Sequence, residues 1–211
     1  MIKLINPQSG EAKDIENGDF SCLDCFKKYY QKDSKKCVAA KINGKVCDLS
    51  AAAPADSAVE MVFADSPDGL SVIRHSASHV MAAAVTKLFP GTKVAIGPSI
   101  ENGFYYDFDK ENAFVPEDLQ AIEKEMKRLI EQNLSFVRTT MKKEDAVKAF
   151  TEKGEKYKAE LAAAVEDEEV SIYTCGDFTD LCAGPHVPST SKIREFRLLS
   201  GFSQDKIIDN D

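Results

Sequence analysis

Long apolar runs are missing from this 211-residue chain. The longest, Val80–Val85, falls far short of the about 20 residues needed to cross a bilayer, so no membrane partner is expected. An excess of positive charge is missing too: 27 Lys and Arg face 35 Asp and Glu, for a net charge of -8. That balance excludes bulk attraction to nucleic acid and leaves any polyanion to be held by a local basic patch. No secretory signal sequence is read at the start, and the six cysteines are irregularly spaced, which fits free thiols in the cytoplasm. The H-E-x-x-H pattern of zinc proteases is absent as well. What remains is a hydrophobic content of 43%, enough for a packed core in one large domain or two small ones.

Histidine is scarce, and its placement is the strongest signal present. All three histidines fall in two short stretches, His75-Ser76-Ala77-Ser78-His79 and Cys182-Ala183-Gly184-Pro185-His186. Each stretch holds two ligand-type or acid/base groups four residues apart, a spacing that puts both on one face of a helix. A lone H-x-x-x-H would say little, but the second half-set comes with the small residues and Pro of an irregular turn, where functional groups are often presented. Together they make a four-donor set suited to zinc or to holding a catalytic water.

Read in order, the chain is α+β. Residues 1–64 form a β-rich module, with strands at Ile2–Ile5 and Glu11–Ile15 around the turn Asn6-Pro7-Gln8-Ser9-Gly10. Ser21 caps a helix over Cys22–Tyr30 whose inner face is Leu23, Phe26 and Tyr30. Val38–Ile42 and Lys45–Asp48 pair across Asn43-Gly44, which suits a type I′ turn, and Val59–Phe63 closes the sheet. This is the element order of a ubiquitin-like β-grasp. Cys22, Cys25, Cys37 and Cys47 lack the second close pair of a zinc ribbon and read as small apolar residues. Asp65–Gly69 is turn-rich and marks a boundary, so the second domain is 65–211. There an amphipathic helix is predicted from about Leu70 to Leu88, with Val72, Val80, Ala84 and Leu88 on its apolar side. Strands Val94–Ile100 and Phe104–Phe108 flank a second Asn-Gly hairpin, and helices are predicted at Pro116–Gln132, Lys143–Lys153 and Glu155–Val165. Further strands are expected at Ser135–Met141, Val170–Thr174 and Glu195–Leu199, with irregular chain over Cys175–Pro188.

Arg74-His75-Ser76 with His79, Ile96-Gly97-Pro98, Asn102 through Asp107, and Asp180-Leu181-Cys182 with Gly184-Pro185-His186 resemble the second additional (editing) domain of threonyl-tRNA synthetases. Ala39 through Gly44 and Asp48-Leu49 resemble the TGS domain that precedes it in that family. The resemblance covers nearly the whole chain. It implies a TGS domain (1–64) followed by an editing domain (65–211) that hydrolyses mischarged seryl-tRNA(Thr), with tRNA(Thr) as partner. Such a second site is needed because one methyl group gives a synthetic pocket only about 1–3 kcal/mol of discrimination.

Carried over residue by residue, the resemblance implies that His75, His79, Cys182 and His186 line the pocket holding the RNA 3′ end and the attacking water. His75 or His186 would orient that water, Lys158 would assist, and Asp180 lies beside the Cys. Spacing alone reads Lys158 as a solvated surface residue. Gly97, Pro98, Tyr105 and Tyr106 are substrate-binding candidates, the tyrosines by stacking on the terminal adenine, although alternation on a strand makes some of these aromatics core. Lys127, Arg128, Lys142, Lys143, Lys192 and Arg194 are phosphate-contact candidates if they cluster. The four-donor set is compatible with zinc, as in alanyl-tRNA editing domains, yet the family implies no metal required for editing. ATP and threonine belong only to a full-length synthetase, whose catalytic core would be the further partner; no class II core fits in this chain, which is not expected to charge tRNA alone. Ala183 departs from the Arg common in the family. The rival readings are a trans-acting zinc-dependent alanyl-tRNA editor and a non-catalytic tRNA-binding or regulatory module.

Overall fold

The computed structural model describes residues 1–199. It is a mixed α+β structure built from one five-stranded sheet, one three-stranded sheet and two short two-stranded ladders. Strands β1 (Ile2–Asn6) and β2 (Glu11–Ile15) form a hairpin, and helices α1 (Cys22–Tyr29) and α2 (Gln31–Ser34) follow. Then come β3 (Cys37–Ile42), β4 (Lys45–Cys47) and β5 (Ala58–Phe63), giving the sheet order β2-β1-β5-β3-β4 with β1 and β5 parallel. Ser21 caps α1 in a reciprocal capping box with Asp24, and Asn43 and Gly44 both take positive φ between β3 and β4, as their sequence demands. One face of the sheet packs on α1 through Leu4, Phe26, Val59 and Met61, and Cys22, Cys25 and Cys37 are buried there as apolar residues. The other face gives Val38, Ala39 and Val62 to a second core. Burial on both faces explains why Cys37, Val38, Ala39 and Ala40 are all buried rather than alternating.

The centre of that second core is α3 (Pro67–Leu88). It starts earlier than the sequence reading placed it. The Ser66 hydroxyl accepts from Gly69 N and Pro67 sits in the first turn, so Ser66-Pro67-Asp68-Gly69 is a helix start rather than a free turn. Val72, Val80 and Ala84 are buried as expected, but Leu88, at the last turn, is 38% exposed. After α3 the chain forms β6 (Lys93–Val94), β7 (Ser99–Ile100), β8 (Gly103–Phe104) and β9 (Phe108–Asp109). The expected hairpin is present but broken at Gly97-Pro98 into the β6–β9 and β7–β8 ladders, since Pro98 offers no N–H. Its tip is Glu101-Asn102, one residue before Asn-Gly, with no positive φ at Asn102 or Gly103.

Helix α4 (Pro116–Glu131) packs Ile122, Met126 and Leu129 against α3. Strand β10 (Phe136–Lys142), helices α5 (Lys143–Glu152) and α6 (Lys156–Ala164), and strands β11 (Glu169–Cys175) and β12 (Phe178–Leu181) complete the fold, with sheet order β10-β11-β12. Strand β12 lies inside the stretch read as irregular. The strand expected at Glu195–Leu199 is not formed. Phe196 and Leu198 pack against the core, but that backbone has no partner strand, and Leu198 N donates instead to Glu123 Oε1. Among the described residues, no helix is long and apolar enough to cross a membrane.

An Ala replacing an exposed mid-helix Gly normally stabilises by up to about 1 kcal/mol. At Gly69 a Cβ would lie 1.9 Å from the Phe63 carbonyl oxygen, so the sign should reverse. Gly69→Ala is expected to lower the urea midpoint, by about 1–3 kcal/mol of stability; an unchanged or raised midpoint would refute this account of the α3 start.

Candidate functional site

Helix α3 is buried around most of its circumference, so its polar side chains must find partners. Ser76 donates to Val72 O at 2.8 Å, and its lone pairs then face Val187 N (3.0 Å) and His186 Nδ1 (3.1 Å). His186 therefore carries its proton on Nδ1 and turns a bare Nε2 toward Cys182 Sγ, 3.5 Å away. The same logic fixes His75. Its Nδ1 lies 3.0 Å from Gly97 O, which can only accept, so Nε2 is bare and faces Cys182 Sγ at 3.1 Å. The His186 ring stacks between His75 (centroids 4.5 Å) and Phe136 (4.7 Å), and His79 meets both other imidazoles edge-on. One donor atom from each of His75, His79, Cys182 and His186 lies within 4.8 Å of the others.

Below this cluster is a buried polar network. Lys158, on α6, is only 2% exposed and sets its ammonium 2.5 Å from Asp180 Oδ1 on β12 and 3.0 Å from the Tyr106 hydroxyl. Tyr106 donates to Asp180 Oδ2 at 2.5 Å, and His79 Nδ1 approaches the same oxygen at 3.5 Å. Lys158 and Tyr106 thus donate to one carboxylate, with His79 beside it. The surface-lysine reading of Lys158 is wrong. Lys156 and Glu160 hold the exposed side of α6 while Lys158 turns inward, and its counter-charge lies 22 residues further on, on a strand that sequence pattern does not show. Gly97 makes room for this network, since a Cβ there would lie 2.1 Å from the Tyr106 ring.

Burial shapes the protonation states. Removal from water pushes His79 well below its usual pKa, helped by His186, His75 and the Lys158 ammonium, and does the same to His186 with His75. His75 is lowered by burial too, partly offset by Gly97 O and Asp180. The Cys182 thiol is pushed up to about 12, chiefly by burial. Burial raises Asp180 and Lys158 draws it back, while Tyr106 is held well above its ordinary range by burial and by Asp180.

A cavity of about 510 Å³ opens over these groups, lined by His75, His79, Lys158, Asp180, Cys182, Tyr106, Gly97, Pro98 and Ala183, with Ile96 and Leu161 as apolar wall. His186 does not line it: the ring is 1% exposed and stands behind Cys182 and His75. Tyr106 is buried beneath the cavity, whereas Tyr105 is 41% exposed and does not line it. Of the phosphate candidates, Arg128 is held by Glu125, and Lys143 donates to Val165 O. Lys192 lines a different concavity of about 580 Å³ with Lys27, Lys32 and Lys35, which holds none of the three histidines. Sequence reasoning missed Ser76 and Phe136, which orient His186; only a Ser one residue after the first His hinted at the former.

The donor set fits a tetrahedral divalent ion: two bare imidazole nitrogens flank a thiol sulfur, and the far nitrogen of each ring is fixed by a carbonyl or hydroxyl oxygen. Residues 170–207 match the family described as the threonyl and alanyl tRNA synthetase second additional domain. The particular branch follows from whole-chain similarity. The chain is 52% identical over 193 residues to a threonine–tRNA ligase of Oleidesulfovibrio alaskensis and 50% identical over 193 residues to one of Nitratidesulfovibrio vulgaris, covering in each case 90% of the chain and 30% of the relative. A threonine–tRNA ligase of Pelobacter propionicus is 50% identical over 167 residues, 79% of the chain and 26% of the relative. Over nine tenths of its length the chain is thus similar to threonine–tRNA ligases, and it spans about 30% of the length of the ligases it matches.

Two outcomes follow. A histidine whose folded pKa lies below its unfolded value of about 6.5 takes up fewer protons folded than unfolded, so its stability contribution is complete above that pH and is lost as pH falls. Metal-free protein should therefore lose thermal midpoint between about pH 7 and 5, and His79→Gln should flatten that slope; equal slopes would refute the neutral-imidazole assignment. Lys158→Met leaves a buried carboxylate uncompensated and should cost about 3–5 kcal/mol in urea unfolding. Lys158→Met with Asp180→Leu should cost less than Lys158→Met alone, and a larger loss would show that the pair is not the coupled unit described.

Proposed function

We propose that this chain is a deacylase that clears mischarged seryl-tRNA(Thr), with residues 1–64 as a TGS module and 65–211 as the editing domain. The order β2-β1-β5-β3-β4 with α1 across one face supports a ubiquitin-like β-grasp for the first module. The observation that carries the activity is the convergence of His75, Cys182 and Lys158 on one cavity floor. In this reading a water in the cavity attacks the ester carbonyl carbon and gives its proton to the bare Nε2 of His75. The Lys158 ammonium, fixed by Asp180 and Tyr106, faces the developing oxyanion. The ester C–O bond then breaks, and the 3′ oxygen leaves with a proton as free tRNA and serine. His75 takes the base role over His186 because only His75 lines the cavity. Exposed Tyr105 offers a stacking face to the terminal adenine, and Gly97 and Pro98 edge the acyl pocket. The tRNA and the catalytic core of a full synthetase are the partners, in the cytoplasm.

No metal is required in this scheme. One observation favours a second reading, the zinc-compatible geometry of His75, His79, Cys182 and His186. Those four residues would hold the ion, which would supply a bound water of lowered pKa.

Deacylation of seryl-tRNA(Thr), threonyl-tRNA(Thr) and alanyl-tRNA(Ala), with and without chelator, separates the readings. Selective serine release, unaffected by chelator and lowered about 10²–10⁴-fold in His75→Ala, is expected. Release of alanine abolished by chelator would transfer the protein to the zinc-dependent alanyl editors, and no release at all would leave a binding module.

A further inference from the structure

Asp48 sits just past the end of β4 in the first sheet, 125 residues before Tyr173 and 138 before His186, yet its carboxylate reaches both. Oδ1 accepts from His186 N at 2.8 Å and Oδ2 accepts from the Tyr173 hydroxyl at 2.6 Å. We propose that Asp48 is a positioning residue of the editing site, setting the Cys182–His186 turn from the first module. This rests on the deacylase reading above.

The turn has few other anchors. Cys182 N donates to Ser171 O at its entry, Gly184 N donates to the sulfur of Cys182 itself, and Pro185 has no N–H. The His186 N–H to Asp48 is therefore the bond that fixes the far end of the turn, before Val187 N reaches Ser76. Tyr173 is the second arm. Its ring meets His186 edge-on at 4.6 Å, and its hydroxyl fills the space under Gly184, where a Cβ would lie 2.0 Å from the oxygen. Gly184 also takes φ +73°, so it cannot be replaced cheaply and the turn rests directly on the phenol. A carboxylate accepts at both oxygens at once. Here each oxygen holds a different side of the same turn, and through it the distance from Cys182 Sγ to the Nε2 atoms of His75 and His186. Asp48 itself is held by its setting: β4 ends at Cys47, paired with Ala40, and Leu49 O accepts from Leu23 N on α1.

The test uses the full chain with Asp48→Ala, Asp48→Asn and Tyr173→Phe. Lys41→Ala serves as control, because it breaks a different bond from the first sheet, the ion pair that joins Lys41 on β3 to Asp68 on α3, without touching the turn. Two readouts are taken: deacylation of seryl-tRNA(Thr), and the alkylation rate of Cys182 by iodoacetamide, read from its peptide mass. A misplacement of about 1 Å costs up to about a hundredfold in rate, so Asp48→Ala should lower kcat about tenfold to a hundredfold with KM nearly unchanged, and Cys182 should alkylate faster. Asp48→Asn and Tyr173→Phe, which each lose one arm, should fall between, and Lys41→Ala should match wild type in both readouts. Wild-type kcat and wild-type Cys182 reactivity in Asp48→Ala, or in the two milder variants if that one does not fold, would overturn the proposal. So would equal losses in Lys41→Ala, which would mark general loosening of the junction. Should wild-type protein deacylate nothing, the deacylase reading falls, and Cys182 reactivity alone still decides the role of Asp48.

Discussion

A helix buried on nearly every side can carry polar groups only if each has a partner, and that constraint on α3 organises the rest of the structure. Ser76, Ser78 and His79 are almost fully buried and His75 largely so. Each draws its partner from elsewhere: Gly97 from the broken hairpin, His186 and Val187 from the turn after β12, and Asp180 from β12 itself. An unpaired buried polar group costs about 1–3 kcal/mol, so the cluster is specified by the same energetics that hold the fold. Folding and site assembly are one event here, because the helix cannot be covered without bringing the second half-set to the first.

The same covering sets the chemistry. Water excluded from the cluster leaves the imidazoles neutral and the Cys182 thiol protonated in the metal-free protein, while one charge pair, Lys158–Asp180, survives because Tyr106 and Lys158 both donate to the carboxylate region. A neutral base beside a fixed ammonium, in a cavity of low dielectric, is the combination that ester hydrolysis asks for: a proton acceptor and a preorganised positive charge for the oxyanion. Burial makes the electrostatics stronger and the groups less free to rearrange at the same time.

Much of this was legible in the residues. The capping Ser21 and the turns at Asn6–Gly10 and Asn43-Gly44 place the first sheet and its helix with boundaries off by a residue or so. The two histidine-bearing stretches do meet. What was not legible has a physical reason in each case. Ser66-Pro67-Asp68-Gly69 carries turn residues and helix-start residues that are the same residues, and only the coming helix decides between them. Strand β12 has a carboxylate in its middle, where a strand pattern asks for an apolar residue; Asp180 is tolerated inside because Lys158 is there, and sequence shows no sign that the two meet. Glu195–Leu199 alternates as a strand should, with Phe196 and Leu198 turned toward the core, but alternation reports burial and cannot supply a hydrogen-bonding neighbour.

The protonation pattern also narrows what the cluster can do. Three rings face one thiol, and for His75 and His186 the partners of Nδ1 dictate that Nε2 is the free nitrogen. A ring held that way can accept a proton or bind a cation through the same lone pair, but not both at once. General-base chemistry at His75 and metal ligation at His75 are therefore mutually exclusive uses of one atom, not two variants of one mechanism. Lys158 tilts the choice. Its ammonium lines the same cavity and acts on His79, so a divalent ion among the imidazoles would be placed near a fixed positive charge that Asp180 offsets in part. In a medium of low dielectric that repulsion is felt over several ångströms. In the deacylase reading proposed above, the lysine–carboxylate pair on the cavity floor already supplies a cation for the oxyanion, and that favours His75 as a proton acceptor over His75 as a ligand.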